Sequence, residues 1–259
     1  MIKKDKGDYS MNTLMPFILE HMPIILICAG PILIIIIIEF LLIRDKKRKE
    51  NIKKYCEENG LKYQEELESK PNSLYGFSIV HLASYNNYTK TYTSVMSGER
   101  NGISFTILDY KYGTGSKNGQ FGSTLCVLSK DGVSLPEFAI TTGYCSFPLI
   151  NRINVLDNPR NKNIKLPKKF TNKFFINGID SSAITNLFNE DIQNIFNSFY
   201  SIGFECEAKS TGQFLTSHWR SRDINSRLKI LDDSIRVYEE MLKQLEANKE
   251  TNDEYYKKF

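Results

Sequence analysis

The 21 residues from Pro23 to Ile43, PIILICAGPILIIIIIEFLLI, carry a single charged side chain, Glu39, and no other feature restricts the chain as much. At about 1.5 Å of rise per residue, a helix of this length spans roughly 30 Å, the thickness of a bilayer hydrocarbon core. Five consecutive isoleucines, Ile34 to Ile38, need an apolar environment on every side of a helix, which lipid supplies directly and a small soluble domain does not. The segment reads as one transmembrane helix, with Pro31 tolerated mid-span because neighbouring backbone can adjust in a bilayer. A cleaved signal peptide fits poorly, since the apolar stretch is long and ends in basic residues instead of small ones.

Charge sets the expected orientation. Residues 1 to 43 hold three basic and four acidic side chains, residues 44 to 54 hold seven and two, and residues 55 to 259 hold 24 of each. The net charge of +4 is thus a local excess after the apolar run, and the balanced remainder excludes a nucleic-acid-binding reading. Lys and Arg concentrated after the span place the N-terminal segment outside and the large C-terminal part in the cytoplasm, at the cell membrane. Arg44, Lys46, Lys47, Arg48 and Lys49 also offer themselves to anionic lipid, each contributing roughly 1 kcal/mol near a charged leaflet.

Five cysteines, Cys28, Cys56, Cys126, Cys145 and Cys206, are scattered without a C-x-x-C pair, which indicates neither a disulfide framework nor a zinc site. His21, His81 and His218 lie far apart, and no catalytic, metal or cofactor residue is assigned. Gly113 to Gly122, GTGSKNGQFG, matches no phosphate-binding pattern and leads from strand to strand, so it reads as a hairpin loop. Asn87-Tyr88-Thr89 is a glycosylation sequon without consequence for a cytosolic domain.

The soluble part reads as α+β with a mainly antiparallel sheet, internal helices and a long C-terminal amphipathic helix. The expected segments are 1–22, a short extracytoplasmic piece; 23–43, the span; 44–70, a basic juxtamembrane helix stopped near Gly60, then a linker; 71–220, the α+β domain; and 221–259, a heptad-patterned helix and tail. Thr91–Ser97 and Gly102–Tyr112 form a hairpin around Asn101-Gly102, with Ile103, Phe105 and Ile107 on one face. Phe121–Lys130 and Val133–Thr142 form a second around Asp131-Gly132, weakened by Pro136. Lys173–Asn177 is a short strand, followed by a helix from Ser181 to Phe196 capped by Ser181 or Ser182. Phe204–Lys209 and Gln213–His218 form a last hairpin, on which Glu205 and Glu207 share a solvated face. Ile224, Leu228, Leu231, Ile235, Tyr238, Leu242 and Leu245 recur at heptad spacing. This 224–245 stripe either packs on the chain's own sheet, favoured by the extra apolar Ile230, Val237 and Met241, or self-associates.

Asp109 is the odd residue, an acid inside a β-branched and aromatic strand. Such a group is buried with a partner, in a structural network or at an active site. The leading reading is accordingly a membrane-anchored interaction or accessory module that works through a protein partner or itself. The alternative is a membrane-tethered, hydrolase-like enzyme around Asp109.

A set of short motifs adds a resemblance. Phe105 to Tyr110 with its F-x-x-x-D-Y, Thr124 to Leu128, Leu135-Pro136-Glu137-Phe138, Phe174 to Asp180 with its F-x-x-x-G-x-D, Leu187-Phe188 and Gly203 to Glu207 resemble a widespread group of bacterial membrane-anchored proteins of unassigned function. The resemblance covers roughly residues 44 to 220 and implies an N-terminal membrane helix ahead of an α+β domain.

Overall fold

A computed structural model describes residues 11–77, 90–113, 120–142, 164–199, 204–219, 221 and 223–256. The Gly113–Gly122 loop lies largely outside these residues, and the 87–89 sequon and Cys145 lie wholly outside them. Two compact units divide the chain at Arg48 and Lys49.

The first unit is the greater part of α1, an unbroken helix from Met11 to Glu58. Its side chains are described from Gly30 onward, and from Ile32 to Ile43 its large apolar residues are 49% to 66% exposed. Among the described residues no helix is long and apolar enough to cross a membrane; the first part of the Pro23–Ile43 run lies outside the described side chains. The helix ends as expected near Gly60, whose φ of +65° suits a residue without a Cβ.

The second unit, Lys49–Phe259, is α+β, built on one eight-stranded antiparallel sheet. Its strands are β1 (Lys62–Leu67), β2 (Lys90–Arg100), β3 (Ile103–Gly113), β4 (Gln120–Ser129), β5 (Phe138–Thr142), β6 (Phe174–Gly178), β7 (Glu205–Ala208) and β8 (Gln213–Trp219). They lie in the order β1-β2-β3-β4-β8-β7-β5-β6. Helices α2 (Lys168–Thr171), α3 (Ser181–Leu187), α4 (Glu190–Phe199) and α5 (Ile224–Tyr256) complete it.

Side-chain alternation along the strands sorts two cores. Ile107, Cys126, Thr216, Cys206, Ile140 and Ile176 are successive cross-strand partners, forming a row on the face that α3, α4 and α5 cover. Ile52 and Cys56 of α1 join this core. Leu108, Leu125 and Leu215 point the other way, into a smaller core closed by Leu74 and Phe77. The apolar stripe of α5 is spent on its own sheet: Leu231, Ile235, Val237, Tyr238 and Met241 are all buried.

Several sequence expectations need correction. Residues 62–67 are not linker but the edge strand β1, paired with β2. The Asn101-Gly102 hairpin forms, with positive φ at both residues. The second expected hairpin does not: β4 pairs with β3 and β8, while β5 pairs with β6 and β7. Asp131 and Gly132 do turn the chain, but residues 133–137 are not strand. Pro136 offers no N–H to a ladder, and Glu137 accepts hydrogen bonds from Ser210 Oγ (2.8 Å) and its N–H, drawing the chain across to the β7–β8 turn. The single helix expected from Ser181 to Phe196 is two, because Phe188 leaves helical geometry and Asn189 caps α4 through the Ile192 N–H at 2.9 Å. The cap of α3 is Asp180, accepting from the Ser182 and Ala183 N–H groups at 3.0 and 2.9 Å.

Candidate functional site

The helix-covered face holds a polar row at one end of the sheet. Register makes Thr93, Asp109, Thr124 and His218 successive cross-strand partners on β2, β3, β4 and β8. Alternation puts Asp109 on the same face as Ile103, Phe105 and Ile107, so it must meet what α5 places above it. That is Arg227. Both side chains have zero exposure, and Arg227 Nη2 donates to Asp109 Oδ1 at 2.6 Å.

The guanidinium fork holds three acceptors together. Arg227 Nη1 donates to the Ser94 carbonyl at 2.5 Å and to the Ile107 carbonyl at 3.2 Å. Both carbonyls belong to a β-bulge where Ser94 and Val95 oppose Leu108, and Ser94 adopts a φ of +52°, sparsely populated for a residue with a Cβ. The bulge thus turns backbone oxygen toward a cation that could not otherwise be desolvated without a large loss of hydration. Thr124 Oγ1 donates to Asp109 Oδ1 at 3.3 Å and accepts the Ser221 N–H at 2.7 Å, tying the approach to α5 into the same cluster. One heptad along, Ser234 shares a hydrogen bond of 2.7 Å with Thr216.

Neighbouring titratable groups are held neutral. Burial, with a smaller contribution from Lys229, pushes His218 down to about 4, and its ring packs edge-on against Phe204. Burial pushes the Cys126 thiol up to about 12, and Cys206 well above its ordinary value. Cys126 is therefore a core residue, as its strand pattern suggests, and not a thiolate nucleophile. With no exposed surface on either member, the Asp109–Arg227 pair is built to clamp three strands to the start of α5.

The opposite face overturns one expectation outright. Glu205 and Glu207 are not solvated; they are 4% and 3% exposed, because β7 is an interior strand covered on both faces. Alternation told which residues share a face, not whether that face is covered. Lys209 Nζ lies 2.6 Å from Glu207 Oε1 and 5.9 Å above the Phe77 ring. Lys70 sits 4.9 Å over Tyr75, and burial followed by the neighbouring Lys90 lowers its pKa, against the pull of Glu207. Nothing in sequence spacing joins residues 70, 90 and 207; the insertion of the β7–β8 hairpin between β4 and β5 does.

The basic segment of α1 divides in two. Arg48 is buried and pairs with Asp45 at 3.3 Å, and Lys49 reaches Glu65 on β1 at 3.1 Å, so neither is spare for a lipid. Arg44, Lys46 and Lys47 are exposed. Among the described residues, no group of three or more His, Cys, Asp or Glu is placed to hold a metal ion. No family model, no curated protein and no solved structure matches this chain.

Arg227 is the functional-site residue that sequence reading missed. Its signal was present: it stands seven and fourteen residues before Ser234 and Met241, a charge on the buried side of an amphipathic helix.

Proposed function

We propose that this chain is a single-pass membrane protein whose α+β domain faces the cytosol and serves as an interaction or accessory module. One observation carries the membrane part: the apolar side chains from Ile32 to Ile43 are about half exposed or more around the whole circumference of a continuous helix. A surface of that kind is stable in lipid and costly in water. The basic residues that follow favour a cytosolic domain. Tyr75, Phe175 and Ile179, exposed by 57%, 55% and 69%, supply apolar anchors for a protein partner. Self-association through the 224–245 helix would have to use its outer face, since the stripe is occupied. The motifs shared with the bacterial membrane-anchored group acquire structural reasons that support kinship. Phe105, Asp109 and Tyr110 supply a core ring, the clamp and a ring stacked on Tyr92. Gly178 leaves room for Ile184, and Asp180 caps α3.

The test is topology. Cys28 and Cys145 are replaced, the buried Cys56, Cys126 and Cys206 are kept, and Asp131→Cys is placed in the exposed β4–β5 turn. The expected result is a chain that stays in membranes at high pH and is protected from an impermeant thiol reagent until lysis. Alkaline extraction overturns the anchor; labelling in intact cells overturns the orientation.

A further inference from the structure

We propose that Arg44, Lys46 and Lys47 form a binding patch for the headgroup phosphates of anionic phospholipid. The inference rests on the membrane reading above and narrows it. Seven cations follow the apolar run, and four of them have a carboxylate partner within the chain. Arg48 meets Asp45 and Lys49 meets Glu65, while Lys53 and Lys54 each have a carboxylate one turn on, Glu57 at 3.9 Å and Glu58 at 3.7 Å. Arg44, Lys46 and Lys47 are exposed.

Their depth fits the headgroup layer. Four residues of helix beyond Ile43 advance about 6 Å along the axis, close to the thickness that headgroups add on each side of a hydrocarbon core. At about 100° per residue the three cations lie near 0°, 200° and 300° around the helix, within an arc of roughly 160°, so one side of it presents all three at the depth of the headgroups. Arg44 can grip a phosphate through two N–H groups, and the two lysines act as point charges.

The experiment uses the full chain, purified in detergent and offered equimolar phosphatidylglycerol and phosphatidylcholine, with retained lipids counted by native mass spectrometry. The wild type is expected to prefer phosphatidylglycerol, by roughly fivefold per engaged cation at low salt, with the preference shrinking at 0.5 M salt. Arg44→Gln with Lys46→Gln and Lys47→Gln removes the preference, while Arg48→Gln with Lys49→Gln leaves it in place. A triple variant that keeps its preference, or a double variant that loses it equally, overturns the proposal. Retention in alkali-washed membranes is scored alongside: a chain that stays in membranes without lipid preference sinks the lipid patch alone, and a chain that washes out sinks the membrane reading with it.

Discussion

Two long helices in this chain are rich in aliphatic residues, and they handle them in opposite ways. From Ile32 to Ile43 α1 exposes apolar side chains on every side, whereas α5 gathers its own onto one stripe and buries it against the sheet. What separates them is periodicity. The α1 run has no polar face to turn outward, while in α5 charged residues such as Lys229, Asp232 and Arg236 interrupt the apolar ones at helical spacing. A stripe can be satisfied by one neighbour, here the sheet; an apolar surface on every side cannot, which is the ground for the lipid environment proposed above.

If α5 is fixed by its buried side, the place where that hold breaks most sharply is Arg227. Arg227→Ala leaves Asp109 buried without its cation and frees the Ser94 and Ile107 carbonyls, so a loss of about 3–5 kcal/mol is expected. For a unit of this size that corresponds to a fall in melting temperature of roughly 10 °C, measured on the full chain in detergent. Combining Arg227→Met with Asp109→Val removes both charges and is expected to recover most of the loss, because a buried ion pair exchanged for apolar groups is often close to neutral. A melting temperature unchanged in Arg227→Ala would show that the clamp contributes little.

On α1 the corresponding change is Ile35→Arg. A charge at the middle of the apolar run costs about 2.5–3.5 kcal/mol of insertion free energy, so membrane retention after alkaline washing is expected to drop sharply. The melting temperature of the α+β unit is expected to stay within about 1 °C, since Ile35 is outside that unit. A variant that keeps full retention but melts lower would reverse the roles assigned to the two helices.

How far these features could be read from the chain depends on whether their determinants are local. The α1 run, the Asn101-Gly102 turn and the α5 stripe are written in consecutive residues, and each could be read directly. The pairing of β4 with β8 could not, since Asp131-Gly132 has the composition of a hairpin turn, while Pro136, the Ser210–Glu137 contact and the pairing of β5 with β6 and β7 take the chain elsewhere. The burial of Glu205 and Glu207 was hidden for the same reason: a strand's own alternation does not reveal what lies above it. Half of the clamp was legible, as Asp109 stood out in its strand. Its partner is 118 positions away and was lost among other charges of a helix judged by its apolar residues.

His218 extends the comparison to pH, because it lies in the polar row beside Thr124 and feels Lys229 of α5. Its folded-state value near 4 is below the ordinary 6.5. Above pH 6.5 it is neutral in both states and the stability is complete. Between pH 6.5 and 4 the unfolded chain takes up a proton that the folded chain refuses, so stability falls as pH falls, by on the order of 3 kcal/mol at most. His218→Gln cannot titrate, and its melting temperature is expected to decline less than the wild type's over that window. Parallel curves for the two proteins would remove His218 from the row's energetics.

The smallest effect belongs to the outer side of α5, where Arg100 of the β2–β3 hairpin pairs with Asp232 and Asn101 Nδ2 donates to Glu239 Oε1 at 2.9 Å. Geometrically this is a second tether between hairpin and helix, and a count of contacts would rank it with the clamp. Solvent decides otherwise, since the Arg100 and Asp232 side chains are 42% and 58% exposed, water screens their attraction, and holding two long side chains in place costs rotamer entropy. A double-mutant cycle with Arg100→Ala and Asp232→Ala is expected to give a coupling of about 0.2–1 kcal/mol that shrinks in 0.5 M salt. A coupling above about 2 kcal/mol, insensitive to salt, would mean that α5 is held from outside as firmly as from within, and the contrast between the two helices would then rest on exposure alone.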